Sequence, residues 1–414
     1  MPTIEVFEHQ KLKVGAQFPT REGGTFELTS QHIDALNQYN SRQRITYFDS
    51  GYRSLRTRHY VGFVQVGKLS IEILPKADRD YATRTETAAW RALLIDMLNV
   101  AGLTLKAHDD AAQAIQRGTL LELIARSFLT ALERLLHEGL AKGYRTHESN
   151  GSVFRGRLLI ADNIRENAAR PDRFYVRYQQ FDHDTPLNRI LALALDVLLE
   201  LPLSATLVNK ARALRAWLPP LTPSYTADFD RVKPSRNTER YRAALIFAEL
   251  ILKQQSPALR GGSTQVFALL FDMNQLWEAY IATLLRRVAP PELRVETQHV
   301  CKFWGGHVVR TVRPDLVIWR GDTVQWIGDT KWRVPDHTGP KDNELKQMFV
   351  YNELLKAKRS LLIYPAGKRG RKDPVESSFF VRDHSCGVAT LDISHGTSGI
   401  REQLAELLCC RLLE

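Results

Sequence analysis

The amino-acid sequence predicts an α+β multidomain chain with a β-rich N-terminal region, a mainly helical middle region and a C-terminal α/β domain. Three observations carry this. Apolar residues alternate with a period of two at residues 3–7 and again across 59–74. From about residue 83 the spacing becomes helical. Beyond a glycine-containing stretch at 254–264, helix, strand, strand, strand, helix and strand patterns follow one another. The predicted boundaries are 1–80, 81–262 and 263–414.

The N-terminal region opens with a strand at 3–7 and a helix at 30–39, with Ser30 as its cap. Strands at 59–66 and 69–74 flank a Gly67-Lys68 turn. Leu69, Ile71 and Ile73 alternate with Ser70 and Glu72, which predicts a half-buried strand. Arg53, Arg56 and Arg58 form a basic stretch before them, suited to phosphates of DNA or of a partner's nucleotide, or to a solvated strand edge. In the middle region Leu120, Leu121, Ile124, Phe128, Leu132 and Leu135 make one helical stripe. Residues 151–160 and 174–181 read as extended. A helix starts at Pro186 behind a Thr185 cap. Asp182, His183 and Asp184 precede it. They are better placed to set negative charge at a helix N-terminus than to hold a metal. Helices are also predicted within 204–223 and at 240–252, and 254–264 is the best linker.

The composition narrows the function. A net charge of +11 and a pI near 9.5 favour a polyanion partner, chiefly nucleic acid. Cys301, Cys386, Cys409 and Cys410 contain no CxxC pair, which argues against structural zinc and fits a reducing, cytoplasmic setting. The N-terminus has no apolar signal core, and no run is long enough to span a bilayer. No GxxxxGK[ST] phosphate loop occurs, so nucleotide hydrolysis by that route is not expected.

The chemistry concentrates at residues 313–331, RPDLVIWRGDTVQWIGDTK. Two strands joined by a turn at Gly321 to Thr323 would pair Arg320 with Val324, Ile318 with Trp326 and Leu316 with Gly328. Asp315 would then face Asp329, with Lys331 on the same face. Paired carboxylates are hard ligands suited to Mg²⁺, with Mn²⁺ as the alternative ion. A neighbouring lysine can serve the attacking water and the charge developing on a phosphate. This is the arrangement of the PD-(D/E)xK nucleases, which Pro314-Asp315 and Asp329-Thr330-Lys331 resemble. In that superfamily the two acids hold the metal and the carbonyl at the Thr330 position often helps. A second triplet, Glu344-Leu345-Lys346, lies in a helical pattern and reads as a solvated face. The helix predicted from Asp272 offers Glu278 as a third acid. The helix at 344–356 carries Met348, Tyr351 and Leu355 on one stripe, and a strand follows at 360–364. Lys368, Arg369, Arg371 and Lys372 form a basic loop suited to tracking phosphates, or a solvated turn.

Several stretches together resemble the McrC family. They are Val61-Gly62 with Ile73-Leu74-Pro75-Lys76, Asp184-Thr185-Pro186-Leu187-Asn188-Arg189, Phe271-Asp272-Met273-Asn274 with Glu278, the two acid motifs, and Gln347-Met348 with Tyr351. The resemblance implies the nuclease subunit of a modification-dependent restriction system. It would cut double-stranded DNA containing modified cytosine, with Mg²⁺. It would also dock through its N-terminal part on an McrB-like AAA+ GTPase hexamer and stimulate it, GTP entering only through that partner. It implies Asp315 and Asp329 as metal ligands, Lys331 as catalytic base or stabiliser, and Gln347 as a group orienting water or phosphate. Arg53, Arg56 and Arg58 are candidates for partner docking from charge alone. The competing readings are a standalone nuclease and a non-catalytic regulator of an NTPase.

Overall fold

The computed structural model describes residues 2–75, 84–102, 119–223, 229, 232, 236–253, 266–306, 308–335, 339–366, 375–379 and 382–412. It is a mixed α/β structure with two compact units, and the division differs from the expected three regions. One unit holds residues 1–120 and 256–414, and the other holds 121–255.

The first unit begins with β1 (Thr3–Phe7), β2 (Lys11–Lys13), β3 (Gln17–Thr20), β4 (Gly24–Glu27), α1 (Ser30–Arg42), β5 (Phe48–Gly51), β6 (Ser54–Thr57), β7 (Tyr60–Val66), β8 (Leu69–Leu74) and α2 (Arg84–Val100). Thr29, one residue earlier than expected, caps α1. The β7–β8 hairpin forms as the alternation requires. The half-buried expectation for β8 fails, because all six of its residues are buried. Glu72 tolerates this because Arg91 of α2 reaches it at 2.6 Å, and Arg21 adds a contact at 3.5 Å.

The second unit contains most of α3 (Leu120–Glu138), then β9 (Gly143–Gly151), β10 (Arg157–Leu158), α4 (Ile160–Asn167), β11 (Phe174–Asp182), α5 (Pro186–Leu199), α6 (Ala205–Trp217) and α7 (Arg242–Lys253). It is less purely helical than expected, since β10, β11 and β9 form a three-stranded sheet. The Asp184 to Arg189 stretch is a helix-start device. Thr185 accepts from the Asn188 N–H with Pro186 in the first turn. The Asn188 amide donates to the carbonyls of Ala141 and His183, and Tyr241 donates to its oxygen.

The chain re-enters the first unit with β12 (Val266–Asp272), α8 (Met273–Val288), β13 (Leu293–Thr297), β14 (Cys301–Trp304), β15 (Arg310–Val312), β16 (Leu316–Arg320), β17 (Thr323–Thr330), α9 (Asp342–Leu355), β18 (Arg359–Ala366), β19 (Val375–Ser378), β20 (Ser385–Asp392) and α10 (Gly396–Leu412). The division moved because β12 pairs along its whole length with β7. It completes a six-stranded sheet in the order β12-β7-β8-β1-β3-β4. Val266, Ala268 and Leu270 enter the same apolar core as Ile4, Val64 and Ile71. A second six-stranded sheet runs β13-β16-β17-β18-β20-β19. Its β13, β16 and β17 are antiparallel, whereas β17, β18 and β20 are parallel, with α9 as the crossover between β17 and β18. That core is built from Ile327, Met348, Tyr351, Leu362 and Tyr364.

Candidate active site

The hairpin of β16 and β17 positions the two acids. Its loop is shorter than expected: Arg320 pairs with Thr323 across Gly321-Asp322, and Gly321 takes φ 58°. An irregularity between Ile318 and Trp319 takes up the extra residue. The expected pairs of Ile318 with Trp326 and Leu316 with Gly328 are therefore recovered. Asp315 immediately precedes β16, and Asp329 is the last residue but one of β17, near the carboxyl end of that parallel strand. In open α/β sheets this is where ligands bind.

Asp315 Oδ2 accepts from the backbone N–H of Thr330 at 2.8 Å and from its hydroxyl at 2.9 Å. Thr330, expected to act through its carbonyl, thus ties the two acid-bearing strands together. Lys331 Nζ lies 2.5 Å from Asp329 Oδ2 and donates to Gln347 Oε1 at 3.3 Å. Gln347 returns its amide to Asp329 Oδ1 at 3.2 Å and to the Tyr351 hydroxyl at 2.7 Å. Tyr351 in turn donates to the Arg313 carbonyl at 3.0 Å. Asp315, Asp329, Lys331 and Gln347 therefore converge.

Glu278 of α8 joins through a residue that sequence reasoning missed. The Gln298 amide donates to Glu278 Oε1 at 2.6 Å and to Asp315 Oδ1 at 3.3 Å. Gln298 sits at φ 53°, in the left-handed region that non-glycine residues seldom occupy and that clusters at functional sites. Only the strand end before it hints at such a position. A cleft of about 500 Å³ lies beside it, lined by Glu278, Gln275, Thr283, Arg286, Thr297 and Gln298.

The electrostatics of the acids are unbalanced. Burial pushes the Asp329 carboxyl up, Asp315 adds to this, and it reaches about 7 despite Lys331. Burial raises Asp315 as well, and burial followed by Asp315 raises Glu278. Asp329 is 1% exposed, and its Oδ2 is paired with Lys331 at 2.5 Å. A buried carboxylate oxygen with a single lysine for company, beside the half-buried Asp315 carboxylate, belongs to an oxygen donor set short of positive charge. It fits a hard divalent cation completed by waters and a phosphate. Among the described residues no cluster of three or more acidic, histidine or cysteine side chains forms a ready-made metal cage.

The second triplet proves different from its expected role. Glu344 is buried, not solvated. Arg333 Nη2 lies 2.6 Å from it, and the Tyr364 hydroxyl and Lys341 N–H also donate to it. Burial raises its carboxyl, but these hydrogen bonds outweigh burial and hold it below its ordinary value. Arg53 and Arg56 are exposed on the β5–β6 hairpin. Arg58 is half-buried, 3.5 Å from Asp49, and donates to the Thr46 carbonyl. Lys368, Arg369, Arg371 and Lys372 lie outside the described residues, as does the predicted linker at 254–264.

Fold and site together define a mixed α/β protein with a paired-acid and lysine centre. A family model described as the McrBC 5-methylcytosine restriction system component matches residues 55–365, and the chain belongs to that family. A solved structure of a half-complex from a tetradecameric assembly of Thermococcus gammatolerans McrB AAA+ hexamers with bound McrC shares the fold. The TM-score is 0.70 at 22% identity, over 98% of this chain and 100% of that one. A chain of the Thermococcus gammatolerans McrBC complex gives a TM-score of 0.49 at 23% identity, over 69% of this chain and 88% of that one. No curated protein matches the sequence. No helix among the described residues is long and apolar enough to cross a membrane.

Proposed function

We propose that the chain is the McrC-like nuclease subunit of a modification-dependent restriction complex, with a C-terminal domain of the PD-(D/E)xK type. It cleaves phosphodiesters of double-stranded DNA carrying modified cytosine, with Mg²⁺, and docks on and stimulates an McrB-like AAA+ GTPase hexamer. The observation that carries the reading is the convergence of Asp315, Asp329 and Lys331 at one end of a strand pair. The acids' shortage of positive charge supports it.

Asp315 and Asp329 would hold the cation. When bound, it would polarise a phosphoryl oxygen and lower the pKa of a water. Thr330 fixes Asp315 through two hydrogen bonds. Lys331 places its ammonium beside the acids, where it binds a phosphate oxygen and stabilises the charge that develops on it. Gln347 holds Asp329 and Lys331 at their present separation; with both amide hydrogens given to Asp329 and Tyr351, it orients a water through the remaining acceptor site of Oε1. Glu278, through Gln298, adds a third carboxylate on the cleft side.

Plasmid cleavage with Mg²⁺ tests this on methylated and unmethylated DNA. Wild type and a folded Asp329→Ala variant are compared, each alone and with the AAA+ partner and GTP. Cutting only with partner and nucleotide, lost in the variant, is the expected result. Cutting by the wild type alone would make the chain an autonomous nuclease. Equal cutting by both proteins would overturn the assignment of Asp329.

A further inference from the structure

The ribbon of β14 and β15 stands apart from both six-stranded sheets. Cys301 pairs with Val312, Lys302 with Thr311 and Trp304 with Arg310, with an irregularity at Phe303. Both of its ends are rooted in the acid site. Gln298, which bridges Glu278 and Asp315, lies three residues before it. Arg313, whose carbonyl accepts from Tyr351, leads out of it into Pro314 and Asp315.

Cys301 at the root is buried, but beyond it the ribbon is bare. Phe303 is 51% exposed, Trp304 56%, Val308 60% and Val309 56%. With Val300, five of the fifteen large apolar residues exposed among the described residues fall within positions 300–309. Single exposed apolar residues need no explanation, whereas a cluster of this kind marks a binding surface. The charge is equally one-sided. Residues 297–314 contain Lys302, Arg310 and Arg313 and no aspartate or glutamate. The cores of protein–protein interfaces are depleted of charge. Here Lys302 precedes the adjacent rings of Phe303 and Trp304, and Arg310 lies opposite Trp304, on a ribbon that runs into the paired acids. Cations flanking rings complement a phosphate backbone with base faces between its strands.

We propose that this ribbon grips duplex DNA beside the scissile phosphate. Phe303 and Trp304 lie against base steps in a groove, while Lys302, Arg310 and Arg313 take the flanking phosphates. A two-stranded ribbon fits the major groove of duplex DNA, apolar side chains can wedge base steps open, and aromatic rings stack on any base so exposed. The inference rests on the nuclease reading and adds to it the element that presents the DNA.

The test uses the full chain in EDTA, with binding of a fluorescein-labelled, cytosine-methylated duplex followed by polarisation across a salt series. Wild type is compared with Phe303→Ala/Trp304→Ala and with Lys302→Ala/Arg310→Ala. The aromatic pair should lose about tenfold in affinity at every salt concentration. The charge pair should lower the slope of log affinity against log salt by about two. All four side chains are exposed, so melting temperatures should match the wild type. Plasmid cleavage with Mg²⁺ and the partner ring is run alongside. Affinity of the aromatic variant within about twofold of wild type overturns the ribbon proposal. If the wild type still cleaves in that case, the nuclease reading stands without it. Loss of duplex binding in the variants, with no cleavage by wild type, supports the ribbon and sinks the nuclease reading. A variant that keeps DNA affinity but no longer co-elutes with the partner ring makes the ribbon a protein interface, which also overturns the proposal.

Discussion

Two buried aspartates, Asp184 in the second unit and Asp329 in the first, have the same side chain and opposite surroundings. Asp184 is saturated. Arg189 grips both of its oxygens, at 2.5 and 2.9 Å, Arg145 lies at 2.5 Å, and Thr222 donates from its N–H and its hydroxyl. Burial raises its carboxyl, but the hydrogen bonds from Arg189 and Thr222 outweigh it and hold the group well below the ordinary carboxylate range. Asp329 has one lysine, one glutamine and a second acid for company, and is pushed up to about 7. A carboxylate with all its acceptors filled can only hold the fold together. One left short of positive charge inside a protein is costly to keep, and a ligand carrying positive charge relieves it.

The largest expected break of this contrast is Asp329→Asn. DNA cleavage should fall by at least about a thousandfold, since several kcal/mol of cation-derived stabilisation are removed. Stability should be unchanged or raised, because a poorly compensated buried charge is gone. Mg²⁺ should raise the melting temperature of the wild type and not of the variant, a binding readout independent of turnover. An equal rise in both would place the ion elsewhere.

Asp184→Asn should act the other way, with folding weakened by about 2 kcal/mol and the chemistry of the folded fraction intact. Its folded pKa is depressed, so its contribution is complete above the unfolded carboxylate value of about 3.9 and is lost as pH falls below it. Denaturant melts between neutral and acid pH should therefore show a shallower acid limb in the variant. Superimposable limbs would remove Asp184 from the fold's support.

Smaller effects sharpen the picture. Gln347→Ala leaves both acids in place but frees Asp329 and Lys331, and should reduce cleavage by about tenfold to a hundredfold with the fold retained. Lys346→Ala, in the second acid-x-lysine triplet, touches an exposed side chain. It should leave cleavage within about twofold and stability within about 0.5 kcal/mol. A large loss of cleavage there would mean that the wrong triplet had been assigned to the centre.

Much of the first unit was legible. Alternation located β1, β7 and β8, and the turn chemistry around Gly321 located the hairpin that brings Asp315 to Asp329. What escaped was set by packing between distant segments. Nothing local in Leu69 to Leu74 announces that Glu72 will be covered by a helix carrying Arg91. Nor does β12 reveal that its partner is β7 rather than a strand of the sheet that carries Asp329. Strand β9 is polar and alternates half-buried with exposed positions, so it lacked the apolar signal by which strands are found. At the site, Gln298 was invisible because its role depends on a left-handed backbone conformation. The Phe271 to Asn274 stretch, singled out for its resemblance, turns out to shape a joint. Asp272 caps α8 through the N–H groups of Asn274 and Gln275, and the Met273 N–H reaches the His59 carbonyl.

The same joint shows where the chain can be divided. Opposite β12, Gly62 takes φ 141°, and a Cβ there would sit 2.0 Å from the Leu269 carbonyl oxygen, so only glycine lets the two backbones meet. A fragment ending near residue 262 would leave β7 with an unpaired edge, open to strand addition from another copy. A fragment starting there would carry an apolar strand with no sheet to join. The N-terminal sheet and the segment that carries the paired acids therefore share one strand pairing and should express only together, with residues 121–255 inserted between the two stretches of their unit.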